Sequence, residues 1–129
     1  MKKSLLPGIA LAALAQAATA DSVQPAFDLT GNWGSSGGGT ASYMQEGTQV
    51  SIIFVTPDYA HQFIGRYVTP TRFEGIQHRV TRATGCATEM RLIGKAATAD
   101  SISVSSTVLD SNCDLAKGQK LAGTVSRLP

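Results

Sequence analysis

The sequence has few aromatic residues and, after residue 20, no window with a convincing helical period. Its aromatic set consists of one tryptophan, three tyrosines and four phenylalanines. Glycine or proline interrupts nearly every long segment, and both residues disfavour the interior of a helix. A low helix content is therefore predicted.

The residue patterns of common catalytic and metal sites are also missing. No serine lies in a Gly-x-Ser-x-Gly elbow, and Glu74 and Glu89 are single carboxylates on separate predicted strands. His61 and His78 lie on adjacent predicted strands without further metal ligands, and the hairpin register places His61 opposite Arg79. We therefore predict a protein that is not an enzyme and that holds no metal and no cofactor.

Excess charge of one sign is absent from most of the chain. The formal charge of +2 comes from Lys2 and Lys3, so residues 21–129 carry equal numbers of acidic and basic side chains. Neutral charge, and arginines without interleaved aromatic residues, argue against nucleic-acid binding. Five arginines on three neighbouring predicted strands form the one local excess, a candidate surface for an acidic ligand or partner: Arg66, Arg72, Arg79, Arg82 and Arg91.

The first 20 residues have the layout of a cleaved secretory signal. A basic pair precedes an apolar run over residues 5–18, and the small-residue triplet that ends at Ala20 matches a cleavage site. The run contains Pro7 and is shorter than the roughly 20 apolar residues that span a bilayer. We expect a signal peptide over 1–20, no membrane span after its removal, and a periplasmic or secreted location.

Cys86 and Cys113 are the two cysteines of the chain. An even count in an exported protein indicates a disulfide, and a bridge that closes a loop of this length contributes about 3.5 kcal/mol by the chain-entropy argument. Two thiols at this spacing, without a nearby cysteine or histidine, do not match a zinc site. We therefore predict a disulfide between them.

From residue 27 onward, strand-like runs rich in β-branched and aromatic residues alternate with short turn clusters. The runs cover 27–33, 40–45, 48–56, 60–68, 72–82, 86–95, 102–109 and 121–128. About eight strands without a helical crossover are typical of an antiparallel up-and-down β-barrel. We predict an all-β domain over 27–129, preceded by a flexible leader at 21–26.

Symmetric pairing about Pro70 predicts the register of one hairpin. It places Tyr67 opposite Phe73 and Gly65 opposite Gly75. An aromatic pair beside a glycine pair is typical of a strongly bent hairpin, because the glycines relieve crowding where the sheet curls.

The hairpin of 86–95 and 102–109 has two competing registers. Pairing the two cysteines gives one turn centre, and matching Val104 to Ala96 and Val108 to Leu92 gives another that differs by half a residue. A bulge in 110–112 would reconcile the two registers.

The two ends of the predicted barrel carry motifs that match each other. Gly31-Asn32-Trp33 on the first strand resembles the Gly-x-Trp signature of the calycin barrels, the lipocalins and avidins. Arg127 resembles the basic residue that packs across that tryptophan, and residues 39–47 are similar to the second strand and turn of avidin-type small bacterial barrels.

This resemblance implies a lipocalin- or avidin-like barrel in which Gly31, Trp33 and Arg127 close one end, with any functional surface at the opposite end. The chain lacks the lipocalin C-terminal helix and the further tryptophans of the avidin pocket, so biotin binding is not implied.

An eight-stranded barrel has an interior that side chains just fill, or that holds one small ligand. The short chain slightly favours solid packing. Five aromatic residues are candidates for a ligand-binding wall: Tyr43, Phe54, Phe63, Tyr67 and Phe73. We expect a non-enzymatic barrel that binds a small apolar or amphipathic ligand. The alternative is a protein-interaction barrel, a periplasmic inhibitor or accessory subunit, motivated by the glycine loop 37–39 and the arginine-rich strands.

Overall fold

The structure, a computed structural model, describes residues 23–129. Eight antiparallel strands form a closed barrel in sequence order: β1 (Gly31–Ser35), β2 (Thr40–Glu46), β3 (Gln49–Val55), β4 (Tyr59–Thr69), β5 (Arg72–Thr81), β6 (Ala87–Thr98), β7 (Ser101–Ser111) and β8 (Lys120–Arg127). Each strand pairs with its sequence neighbour, and β1 pairs with β8. The predicted all-β up-and-down barrel is confirmed, whereas the signal peptide lies outside the described residues.

Alternation of inward and outward side chains builds the core, because successive residues of a strand point to opposite faces of the sheet. In β3, Val50, Ile52 and Phe54 are buried and the residues between them are more exposed. The largest fully buried side chains include Trp33 and Phe63. No helix in the 23–129 region is long and apolar enough to cross a membrane.

The β4–β5 hairpin has the predicted register. Tyr67 lies opposite Phe73, and Gly65 lies opposite Gly75. A Cβ atom at Gly65 would overlap the backbone carbonyl of Glu74, so the strands can approach this closely only because glycine stands there.

The β6–β7 hairpin corrects a sequence prediction. Val104 lies opposite Gly94 and Val108 lies opposite Met90, so the predicted pairings with Ala96 and Leu92 are wrong. The register shifts twice, after Glu89 and after Ala96, rather than once in 110–112. The two shifts have opposite senses, so the central pairs move while both ends of the hairpin keep the register expected from the cysteines.

Cys86 and Cys113 form the predicted disulfide, with their Cα atoms 5.4 Å apart. The bond joins the residue before β6 to the segment that follows β7. It therefore fastens the rim at the end of the barrel where β6 begins.

The other end of the barrel is covered by the chain that precedes β1. Leu29 is fully buried there, and its backbone amide donates to the side-chain oxygen of Gln45 at 3.1 Å. The same oxygen accepts the Tyr67 hydroxyl at 2.9 Å, while the Gln45 amide group donates to the Phe27 carbonyl at 3.0 Å. The described part of the predicted leader, 23–26, follows on and contacts the barrel through Val23 and a hydrogen bond from Ala26.

The three residues that the resemblance assigned to barrel closure meet at this end. Trp33 is fully buried and donates its indole N–H to the Leu29 carbonyl at 2.9 Å. The Arg127 guanidinium carbon lies 4.5 Å from the centroid of the Trp33 ring, and a Cβ atom at Gly31 would lie 2.9 Å from Arg127 Nη1. Arg127 also donates to three backbone carbonyls, those of Asp28, Thr30 and Ala99.

Candidate functional site

A cavity of about 140 Å³ opens at the end of the barrel opposite Trp33. Residues near this rim, contributed by all eight strands, form its wall. Its volume is close to that of a cavity of about 150 Å³ that holds benzene in an engineered protein. The interior is therefore filled at one end and open at the other.

Apolar side chains form most of the cavity wall. They include Tyr43, Ile52, Phe54, Met90 and Leu92, all buried. Such a wall favours an apolar body on any molecule that enters.

The five aromatic residues predicted to bind ligand are divided between the two halves of the barrel. Tyr43 and Phe54 line the cavity. Phe63 and Tyr67 pack against Phe73, with ring centroids 5.7 and 5.8 Å from it, in the filled half. The structure therefore brings two of the five to the cavity and places three in the packed core.

Polar residues on β4 and β5 interrupt the apolar wall. His61 and Arg79 lie directly opposite each other and both face the cavity. The Arg79 guanidinium carbon lies 3.6 Å from the centroid of the Tyr59 ring, and the His61 ring lies 4.7 Å from the Phe54 ring, centroid to centroid. Aromatic faces therefore hold both polar groups in place.

Each member of this pair has a buried nitrogen that no group in residues 23–129 satisfies. These atoms are His61 Nδ1 and Arg79 Nε. No carboxylate in the described chain lies within ion-pair distance of Arg79. A buried donor without a partner costs about 1–3 kcal/mol, and more when it is charged. The described protein leaves the hydrogen-bonding capacity of these two atoms unused, and both lie beneath the cavity surface.

Burial and, to a smaller extent, the positive charge of Arg79 together lower the pKa of His61 to about 4. His61 is therefore neutral near pH 7, where one ring nitrogen donates and the other accepts. Arg79 keeps its charge at this pH. The pair consequently carries one positive charge rather than two.

Two further polar residues complete the wall. Ser106 donates its hydroxyl to the side-chain oxygen of Gln77 at 3.3 Å, and both side chains are buried. The Gln77 side-chain oxygen is therefore the atom that accepts from Ser106, which defines the orientation of the Gln77 amide. Both residues border the cavity, so its polar side extends from β4 across β5 to β7.

Comparison with family models, with curated proteins and with solved structures finds no match to this chain.

The arginines predicted to form one basic face are separated by the barrel. Arg79 points inward, while Arg72 and Arg91 lie 2.7 and 3.8 Å from the carboxylate of Glu74 on the outside. Arg82 donates to a backbone carbonyl at 2.8 Å. Their charge is thus distributed between the cavity and an exterior that already contains an acidic partner.

The glycine loop 37–39 lies beside the cavity mouth and contains hydrogen bonds of its own. The amide of Gly38 donates to the Ser35 carbonyl at 3.0 Å, and the amide of Ser35 donates to the Gly39 carbonyl at 3.2 Å. Gly38 and Gly39 have positive φ values of 94° and 95°, which side-chain-bearing residues rarely adopt. The glycines therefore form a defined turn. Within residues 23–129, no group of three or more metal-ligating side chains is placed to hold an ion.

Sequence reasoning placed His61 opposite Arg79 but did not assign the pair to the interior. A signal was present, because inward positions alternate along β4 from Phe63 to His61 and Tyr59. The same alternation along β5 connects Phe73 with Gln77 and Arg79. Hydrophobicity alone did not reveal this signal, because polar residues are normally expected on the outer face of a barrel strand.

Proposed function

We propose that the protein is a non-enzymatic β-barrel that binds one small amphipathic ligand in the cavity at its open end. The carrying observation is an apolar cavity of about 140 Å³ whose wall includes the opposed polar side chains of His61 and Arg79. The apolar wall supports the binding of an apolar body. The His61 and Arg79 side chains support recognition of a polar group, because both line the cavity and Arg79 has no ion-pair partner in the described chain.

The small-ligand function is preferred over the protein-interaction alternative for a structural reason. That alternative relied on a basic face, but Arg79 faces the cavity, and Glu74 lies beside Arg72 and Arg91. An exterior with its own ion pairs offers a weaker attraction to an acidic partner.

We further propose a periplasmic or secreted location and a calycin-like relationship for the barrel. The disulfide between Cys86 and Cys113 supports the location, since such bonds persist in oxidising compartments. The packing of Arg127 over Trp33 supports the relationship, which implies closure at one end.

The proposed function is tested by titrating the protein with one-ring aromatic compounds such as benzyl alcohol, followed by NMR of the backbone amides. We expect saturable shifts at residues around the cavity and none around Trp33. Val104→Phe places a ring in the cavity and should abolish the shifts. Ser103→Phe, one position along on the exposed face, is the matched control and should preserve them.

Absence of saturable shifts in the unmodified protein would contradict the proposed function. The proposed function would also be contradicted if Val104→Phe bound the compounds as well as the unmodified protein does. The unfolding transition of the variant shows whether it is folded. Native mass spectrometry of protein purified from cells supplies an independent check for a bound species.

A further inference from the structure

We propose that the polar group recognised in the cavity is a carboxylate, so that the ligand is a monocarboxylate with an apolar body about the size of one ring. This inference rests on the proposed function and adds the chemical class of the ligand. It is carried by the geometry of Arg79, Tyr59 and His61.

Arg79 is the charged residue of the cavity wall. Its side chain faces the cavity from β5, and no carboxylate among residues 23–129 lies within ion-pair distance. Its Nε is buried without a hydrogen-bond partner in that region. Because Nε has almost no accessible surface, a ligand meets the two terminal nitrogens, and two parallel donors on that edge of the guanidinium match the two oxygens of a carboxylate.

Tyr59 determines the direction from which a ligand meets this edge. Its ring lies 3.6 Å from the Arg79 guanidinium carbon and covers one face of the group. A stacked guanidinium has its plane fixed and its N–H groups directed sideways. Pre-organisation of this kind lowers the entropic cost of forming two bonds at once.

His61 adds a second polar contact beside the first. It lies opposite Arg79 in the β4–β5 register, and its buried Nδ1 has no partner in the described part of the chain. Since Nδ1 has almost no accessible surface, a ligand oxygen can meet the ring only at Nε2, and a neutral imidazole can carry its N–H on that nitrogen and donate. One positive charge and a neutral donor match a monoanion better than a dianion such as phosphate.

The cavity volume limits the rest of the ligand. A cavity of about 140 Å³ is close in size to one that holds benzene, and the buried walls from Phe54, Met90 and Leu92 are apolar. Long alkyl chains exceed this space. Benzoate and branched carboxylates of five or six carbons fit the combination of an apolar body and one carboxylate.

The experiment compares benzoate, benzamide and benzyl alcohol, which share a ring; only benzoate is charged, and the other two are neutral. Binding to the intact protein is measured by calorimetry and by NMR. We expect benzoate to bind at least tenfold more tightly than benzamide. Arg79→Gln should remove this preference, and Arg66→Gln, which removes an exposed arginine from the outside of β4, should preserve it.

Arg79→Lys separates charge from geometry. It keeps the positive charge but lacks the two-donor edge, so the benzoate preference should fall to between the values for the intact protein and Arg79→Gln. The unfolding transition of each variant shows whether the barrel is folded. The same measurement with benzoate added shows whether the ligand still stabilises it.

Equal affinity for benzoate and benzamide would overturn the carboxylate inference and leave the proposed function standing. Failure of all three compounds to bind would overturn both. A benzoate preference that survives Arg79→Gln would also overturn the inference, because the charge would then be recognised elsewhere.

Discussion

His61 and Arg79 face each other across the β4–β5 hairpin, and each has one buried nitrogen that nothing in residues 23–129 satisfies. The rest of the cavity wall is largely apolar. A polar pair kept in such a position lowers the stability of the empty barrel, because its lost hydration is not fully replaced. The pair is therefore the part of the interior that is least explained by folding.

The stability of the barrel should fall as the pH falls from about 6.5 towards 4. His61 has its folded pKa lowered to about 4 from 6.5 by burial and by Arg79, so in this range the unfolded chain binds a proton that the folded protein excludes. The loss should approach about 1–3 kcal/mol, allowing for partial solvent access to the ring.

Urea unfolding at pH 7, 5.5 and 4.5 measures this loss. His61→Gln should reduce the pH dependence, because it removes the group whose folded pKa is lowered. Identical pH profiles for the intact protein and His61→Gln would show that His61 is not the group responsible.

Replacement of Trp33 by alanine should lower the free energy of unfolding by about 3–5 kcal/mol, as for other fully buried large aromatic residues. The indole is fully buried, donates to Leu29 and packs beneath Arg127. Denaturant unfolding measures the change. A loss below about 1 kcal/mol would be inconsistent with burial of the ring at the closed end.

Gly94→Ala should destabilise the barrel by about 1–3 kcal/mol through overpacking. Gly94 lies opposite Phe73, and a Cβ atom at position 94 would overlap the Phe73 ring. Gly123→Ala is the matched control, since its Cβ atom would have its nearest contact at 3.7 Å, with Ser36 Oγ.

Combining Gly94→Ala with Phe73→Leu should give a smaller loss than the sum of the two single changes, because the shorter side chain vacates the space that the new methyl group needs. Strict additivity of the two losses in the double-mutant cycle would contradict a steric conflict between these positions.

Removal of the disulfide by Cys86→Ser together with Cys113→Ser should cost about 2–5 kcal/mol. The bond joins the segments that flank β6 and β7 at the open rim. Thermal and urea unfolding measure the loss, and thiol titration of the denatured, unreduced protein should detect no free thiol. Two titratable thiols in that sample would contradict the bond.

The architecture could be predicted because its determinants are local. Alternating residues and turn clusters gave eight strands, and the turn at Pro70 determined the pairing of Tyr67 with Phe73. The β6–β7 register could not be predicted in the same way. Two bulges shift its central pairs without moving its ends, and no turn residue indicates where they lie.

The cavity is a different kind of property. It depends on how far the side chains of all eight strands fill the interior, and a few methyl groups separate a filled barrel from a hollow one. The stacking of Arg79 on Tyr59 likewise depends on side-chain conformation. Sequence spacing could bring Arg79 and His61 together, but it could not show that both face inward towards unfilled space.

The seam between β1 and β8 has a consequence for the order of folding. Arg127 donates to the carbonyl of Asp28, which is 99 positions away in sequence, so closing the barrel is its most non-local step. During synthesis from the N-terminus, β1 remains an unpaired edge on one side until β8 has emerged. Exposed edges pair readily with other chains, so the interval before Arg127 reaches Trp33 is when this protein is most prone to aggregate.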